Sequence, residues 1–186
     1  MGDHEGDDRT RRVVFVTVGT TSFDALVKAV DSLTFKQELA SKGYTHLLIQ
    51  MGRGSYVPTK SEGGNSLAVD YFTFSSSIAD HLKSASLVIS HAENLVGNNE
   101  LNMSTIFETL RLGKRLIVVV NEDLMDNHQS ELAEELADRK HLYCARPQTL
   151  HQTVADMDLN SLLPYIPGDA TPVAKLINRF LGFPDD

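Results

Sequence analysis

Four short stretches of this sequence gather the groups that hold a phosphorylated ligand: glycines, small hydroxyls, amides and an imidazole. They are Gly19-Thr20-Thr21-Ser22, Gln50-Met51-Gly52-Arg53-Gly54, Ser90-His91 with the polar run ending at Ser104-Thr105, and Asn121-Glu122 followed by Asp126-Asn127-His128-Gln129. Small hydroxyl residues ahead of a helix leave backbone N–H groups open, and those donors together with the helix dipole favour phosphate. The plainer reading of Gly19 to Ser22 is a turn and a helix cap. Glu108 sits three residues into a helix that starts near Thr105. It can be a capping-box member, or it can accept hydrogen bonds from the two hydroxyls of a ribose; the spacing leaves both open. Asp126 or Asn127 as an N-cap is likewise the plainer reading of its cluster. A cap does not account for an amide and an imidazole together at the mouth of a strand–helix junction.

Other chemistries lack their residues. There is no G-x-x-x-x-G-K-[ST], so a P-loop NTPase is excluded, and Gly52-Arg53-Gly54 lacks the third glycine of a dinucleotide fingerprint. No G-x-S-x-G elbow is present. The seven histidines show no metal-ligand spacing and Cys144, the single cysteine, has no partner. No metal and no cofactor are therefore expected. Asp156-Met157-Asp158 has the form of a D-x-D metal motif, but it falls at a helix end away from the four stretches.

Each of the four stretches follows a short apolar run. Val13–Val18 is β-branched and reads as a buried strand, followed by a tight turn and a helix capped near Ser22. Phe23, Leu26, Val27 and Val30 recur at helical spacing. A second helical piece spans about Thr34 to Ser41 and stops at Gly43. His46–Gln50, Leu67–Phe74, Leu87–Ile89, Leu116–Val120 and Leu142–Ala145 read as strands. Helices are expected over Ser75–Ser84, Thr105–Leu112, His128–Lys140, Thr149–Met157 and Pro172–Leu181, with a loop at 58–66. Strands alternating with helices mean βα units and a mostly parallel sheet. In such a sheet ligands bind beyond the carboxyl ends of the strands, where the four stretches lie.

Composition narrows the class further. The chain has 186 residues, 41% hydrophobic and 23% charged, which is ordinary for one globular domain and excludes general disorder. No apolar run reaches the roughly 18 residues of a membrane span, and the N-terminus does not read as a secretory signal. A net charge of -8 disfavours a non-specific nucleic-acid binder. A lone cysteine suits a reducing compartment, so the expected location is the cytosol.

Taken together, these motifs resemble a known family. Val14–Asp24, His46–Gly54, Leu87–Ala92, Thr105–Leu110, Leu116–Glu122 and Leu124–Ala133 look like the soluble subunits of the eukaryotic UDP-N-acetylglucosamine transferase of dolichol-linked oligosaccharide synthesis, with a glycosyltransferase family 28 C-terminal-like domain. The resemblance runs from Val13 to Phe183. It implies a Rossmann-like α/β fold, helices on both faces of a mostly parallel sheet, similar to the C-terminal half of a GT-B glycosyltransferase. It also implies transfer of GlcNAc from UDP-GlcNAc to GlcNAc-diphosphodolichol, giving the chitobiosyl product of N-glycan precursor synthesis. The reaction would take place on the cytosolic face of the endoplasmic reticulum, and only together with a membrane-anchored second subunit. Residues 1–12 would be a flexible tail, residues 13–183 one donor-binding domain, and a helix near 171–183 the partner-docking element, where Val173, Leu176, Ile177 and Phe180 share a face.

The same resemblance places Gly19, Thr20 and Thr21 near the donor diphosphate and His91 at the opening of the central motif. It puts Ser104 and Thr105 at a helix start, Glu108 on the uridine ribose, and Asn127, His128 and Gln129 towards the donor sugar and phosphates. No general base is assigned on this chain. One departure stands out. The family reads His-Ala-Gly-x-Gly-Ser/Thr ahead of Ile-Phe-Glu, whereas here twelve residues, Glu93 to Ser104, replace Gly-x-Gly before Thr105-Ile106-Phe107-Glu108. Those glycines let backbone pass close to a diphosphate. Glu93 and Glu100 would repel one if they faced it. Two functional readings follow: an insert that loops out of a working donor site, or a non-catalytic variant that keeps fold and partner docking. Surface loops tolerate insertion at small entropic cost, so the fold is expected either way.

Overall fold

The computed structural model describes residues 11–19, 22–64, 66–75, 77–92, 106, 108–121 and 128–164. Six β-branched or apolar runs become parallel strands: β1 (Val13–Thr17), β2 (His46–Gln50), β3 (Ala68–Phe72), β4 (Leu87–Ala92), β5 (Arg115–Val120) and β6 (Tyr143–Ala145). They assemble in the order β3-β2-β1-β4-β5-β6. The chain therefore builds outward from β1 to β3, then returns to lay β4 against the other side of β1. That reversal places the switch point between β1 and β4, where open α/β sheets hold their ligands.

The crossovers run through α1 (Asp24–Asp31) and α2 (Leu33–Ser41), then α3 (Ile78–Ser84), a helical segment holding Ile106 and residues 108–111, and α4 (His128–Asp138); α5 (Leu150–Asp156) follows the last strand. Alternate side chains of each strand point to opposite faces. On one face Val14, Val16, Ile117 and Val119 pack with Leu26, Val27, Val30, Phe35, Leu39, Leu150 and Val154. On the other, Phe15, Val88, Leu116 and Val118 pack with Leu82, Leu110 and Leu136. Both faces are covered, which is why the strands read as continuous apolar runs.

Three local details differ from the sequence reading. Ser22 does not cap the first helix: Phe23 occupies the N-cap position, without a side-chain cap, because its ring is buried in the core beside β4. The two helical pieces expected between 24 and 41 do form, parted at Ser32, whose hydroxyl accepts from the Phe35 N–H at 3.3 Å and starts α2. Strand β4 runs three residues past Ile89, since Ser90 and His91 still pair with Val118 and Val119 of β5. Arg12 also joins the fold: its N–H donates to Thr45 Oγ1 at 2.9 Å and its guanidinium lies 4.6 Å from the centre of the Tyr44 ring. The helix expected over 172–181 lies outside the described residues.

Candidate functional site

The carboxyl ends of β1, β2, β4 and β5 meet at one edge of the sheet, and the site is built on their last rungs. Thr17 and Gln50 face each other across β1 and β2, both buried. The Thr17 hydroxyl donates to Gln50 Oε1 and accepts from the Gly19 N–H at 3.2 Å, while the Val18 N–H donates to the Gln50 carbonyl at 3.3 Å. The first turn is thereby tied to the neighbouring strand. Gly19 has φ +71°, in the left-handed region that favours glycine.

His91 stands at the end of β4, 3% exposed, with its ring centroid 4.3 Å from that of Phe23. Neither ring nitrogen completes a hydrogen bond among the described residues, and the backbone at Val18 only partly offsets the burial. Desolvation pushes its pKa down to about 4, so the imidazole is neutral at pH 7. It can give one N–H and take one hydrogen bond there, but it brings no positive charge. Placement in a strand rather than a loop is what buries it.

Glu108 is exposed, in the helical segment after β4. His128 and Gln129 form the first turn of α4, after β5. Gly19, Glu108 and the start of α4 thus belong to segments that follow the adjacent strands β1, β4 and β5, and His91 lies at the end of β4 itself. Thr20, Thr21, Ser104, Thr105 and Asn127, with the insert 93–104, lie outside the described residues.

The sequence reading missed the framework behind these groups. Asp24 accepts from the Ser55 hydroxyl at 2.8 Å, the Ser55 N–H at 3.4 Å and the Tyr56 N–H at 3.3 Å. The Ser55 hydrogen bond holds its carboxyl below the usual range. Asp31, one helix length further, takes the Tyr56 hydroxyl and the Lys36 ammonium at 2.7 Å each and the Thr59 N–H at 3.0 Å. Two aspartates of α1 therefore fasten the loop after β2. An acidic residue in a helix first turn was the available signal, but its partners lie about thirty residues away.

Cavities of about 270 Å³, beside Lys114, Arg115 and His141, and about 300 Å³, beside Tyr44, His46 and Glu62, open at the opposite edge of the sheet. They do not belong to this site. Among the described residues no three His, Cys, Asp or Glu side chains converge to hold a metal ion, and no helix is long and apolar enough to cross a membrane.

The glycosyltransferase family 28 C-terminal domain matches residues 13–180. A Mus musculus protein named UDP-N-acetylglucosamine transferase subunit ALG13 is 47% identical over 131 residues, 70% of this chain and 10% of its own length. The Homo sapiens protein of that name is 42% identical over 134 residues, 72% of this chain and 11% of its own length. The chain spans about a tenth of the length of these two relatives. An NMR solution structure of ALG13 superposes with a TM-score of 0.62 at 28% identity, covering 90% of this chain and 94% of that one. Acinetobacter baumannii MurG superposes with a TM-score of 0.57 at 16% identity, covering 82% of this chain and 43% of that one, which shows a shared fold. This chain belongs to the glycosyltransferase family 28 C-terminal domain family, and its parallel sheet is that of the family's glycosyltransferases.

Proposed function

We propose that the chain is the donor-binding subunit of a UDP-GlcNAc-dependent N-acetylglucosaminyltransferase. The carrying observation is the family match over residues 13–180, joined to 42–47% identity with proteins named as UDP-N-acetylglucosamine transferase subunits. In this reading GlcNAc passes from UDP-GlcNAc to GlcNAc-diphosphodolichol in N-glycan precursor synthesis. A membrane-anchored second subunit supplies the acceptor half and recruits the chain to the cytosolic face of the endoplasmic reticulum.

The residues fit donor binding rather than proton transfer. In this reading the turn of Gly19, Thr20 and Thr21 lies near the diphosphate, and Ser104 and Thr105 are at the helix start after β4. Glu108 holds the uridine ribose, and Asn127, His128 and Gln129 face the sugar and phosphates. His91 offers a neutral imidazole whose hydrogen-bonding capacity a ligand or an ordered neighbour can use. The second subunit, facing this edge, excludes water from the transfer.

The insert 93–104 supports a second reading, in which fold and partner docking persist without donor binding. Calorimetric titration of UDP-GlcNAc into the full chain with the second subunit tests both, beside a version with residues 93–104 replaced by Gly-Ser-Gly. Equal binding by the two is expected from a competent donor subunit. Binding by the shortened form alone establishes the non-catalytic variant. Binding by neither overturns the donor role.

A further inference from the structure

We propose that Arg53 supplies the positive charge that a substrate diphosphate meets at this edge, and that Asp24 positions it. The inference rests on the donor-binding reading and adds a residue to it. A diphosphate brings at least two negative charges to a chain whose own net charge is -8. The segments that follow β1, β2, β4 and β5 are residues 18–23, 51–67, 93–105 and 121–127. Only Arg53 and Lys60 are basic among them, against Glu62, Glu93, Glu100, Glu122, Asp123 and Asp126. Lys60 is committed elsewhere, 3.3 Å from Asp70 and 5.0 Å from the Tyr71 ring centre at the β3 edge. His91 is neutral. Arg53 is exposed and has no ion-pair partner among the described residues.

Its backbone is held for presentation. Gly52 has φ +59° and donates to the Thr73 carbonyl at 3.2 Å. Gly54 donates to the Met51 carbonyl at 3.3 Å, and a Cβ there would strike Asp24 Oδ1. Asp24 then takes both Ser55 donors and the Tyr56 N–H. Arg53 is the tip of a turn fastened on both sides. Gly19 is set on the same rung, because Thr17 pairs with Gln50 and the Val18 N–H reaches the Gln50 carbonyl. The chain thus carries a guanidinium on the fastened loop after β2, at the same carboxyl edge of the sheet as the first turn after β1. A guanidinium suits phosphate oxygens through its forked donors, and a fixed loop reduces what must be ordered on binding.

The diphosphate can be that of the donor or that of the lipid-linked acceptor, and the test separates them. Uridine and UDP are titrated into the full chain with its second subunit, as wild type, Arg53→Gln, Arg53→Lys and Asp24→Ala. KM is measured separately for UDP-GlcNAc and for the lipid-linked acceptor. For a donor contact, Arg53→Gln weakens UDP about tenfold or more while uridine binding is unchanged. Arg53→Lys retains part of the preference, and Asp24→Ala lowers the UDP-to-uridine ratio in the same direction. For an acceptor contact, UDP binding holds and only the acceptor KM rises. If Arg53→Gln keeps the wild-type preference for UDP and both KM values, or loses uridine and UDP equally, the inference is overturned. A wild-type complex that binds neither UDP nor uridine overturns the donor reading itself, whatever the variants do.

Discussion

The Thr17 hydroxyl donates to the buried side-chain carbonyl of Gln50 and accepts the Gly19 N–H, so one oxygen joins the last rung of β1 and β2 to the first turn of the site. Thr17→Val keeps the shape and removes that oxygen. It leaves the Gln50 amide oxygen and the Gly19 N–H without their bonds, at a cost of about 1–3 kcal/mol. We expect a lower urea midpoint and weaker UDP-GlcNAc binding, with Thr17→Ser close to wild type in both. A Thr17→Val protein as stable as wild type would show that the bond carries no weight.

Glu108 is exposed, so its truncation tests ligand binding without breaking the core. Losing hydrogen bonds to a charged group costs about 1.5–3 kcal/mol. Glu108→Ala is expected to weaken UDP-GlcNAc roughly tenfold or more, read by calorimetry on the full complex. An unaltered dissociation constant refutes the ribose role.

His91 makes stability depend on pH. Its folded pKa, about 4, lies below its ordinary 6.5, so the folded chain favours the neutral ring. The contribution is complete above 6.5 and is lost as pH falls towards 4, because the unfolded chain takes up the proton first. By pH 5 the loss is about 2 kcal/mol. Urea denaturation of wild type and His91→Leu at pH 7 and pH 5 should show wild type losing that much more than the variant. Parallel losses would place the titration elsewhere.

Gly54→Ala forces a methyl group against the Asp24 carboxylate that clasps the loop. Either the carboxylate or the turn must move, which costs about 1–3 kcal/mol. Thermal unfolding should report the loss, and Gly64→Ala is a poor control because Gly64, unlike Gly54, has positive φ, +90°. Ser66→Ala, in the same connection and exposed, is expected to stay near wild type.

Val173, Leu176, Ile177 and Phe180 recur at helical spacing in the C-terminal sequence. Deleting residues 171–186 is expected to weaken association with the second subunit while the donor domain stays folded. Co-purification from detergent, with circular dichroism of the free chain, measures both. Unchanged association would move the docking surface to another part of the chain.

Local pattern alone determined much of this protein. Apolar β-branched runs such as Val13–Val18 and Leu116–Val120 had to be buried strands, and Phe23, Leu26, Val27 and Val30 had to line one helix face, because both follow from short periods of hydrophobicity. Alternation of the two implied a parallel sheet, and its ligand edge followed from that. The motifs ending in Gly19, His91, Glu108 and Gln129 were legible as a family signature. The tertiary structure decided the rest. Strand order depends on which side of β1 receives β4, a packing choice with no local mark. Phe23 displaced Ser22 from the cap because its ring gained burial against His91, and His91 stayed in the sheet because β5 extends far enough to pair with it. The clasp of Asp24 on Ser55 and Tyr56, which fastens the loop carrying Arg53, joins residues about thirty positions apart. Such a contact exists only once the sheet has brought β1 and β2 together, so no spacing in the chain could announce it.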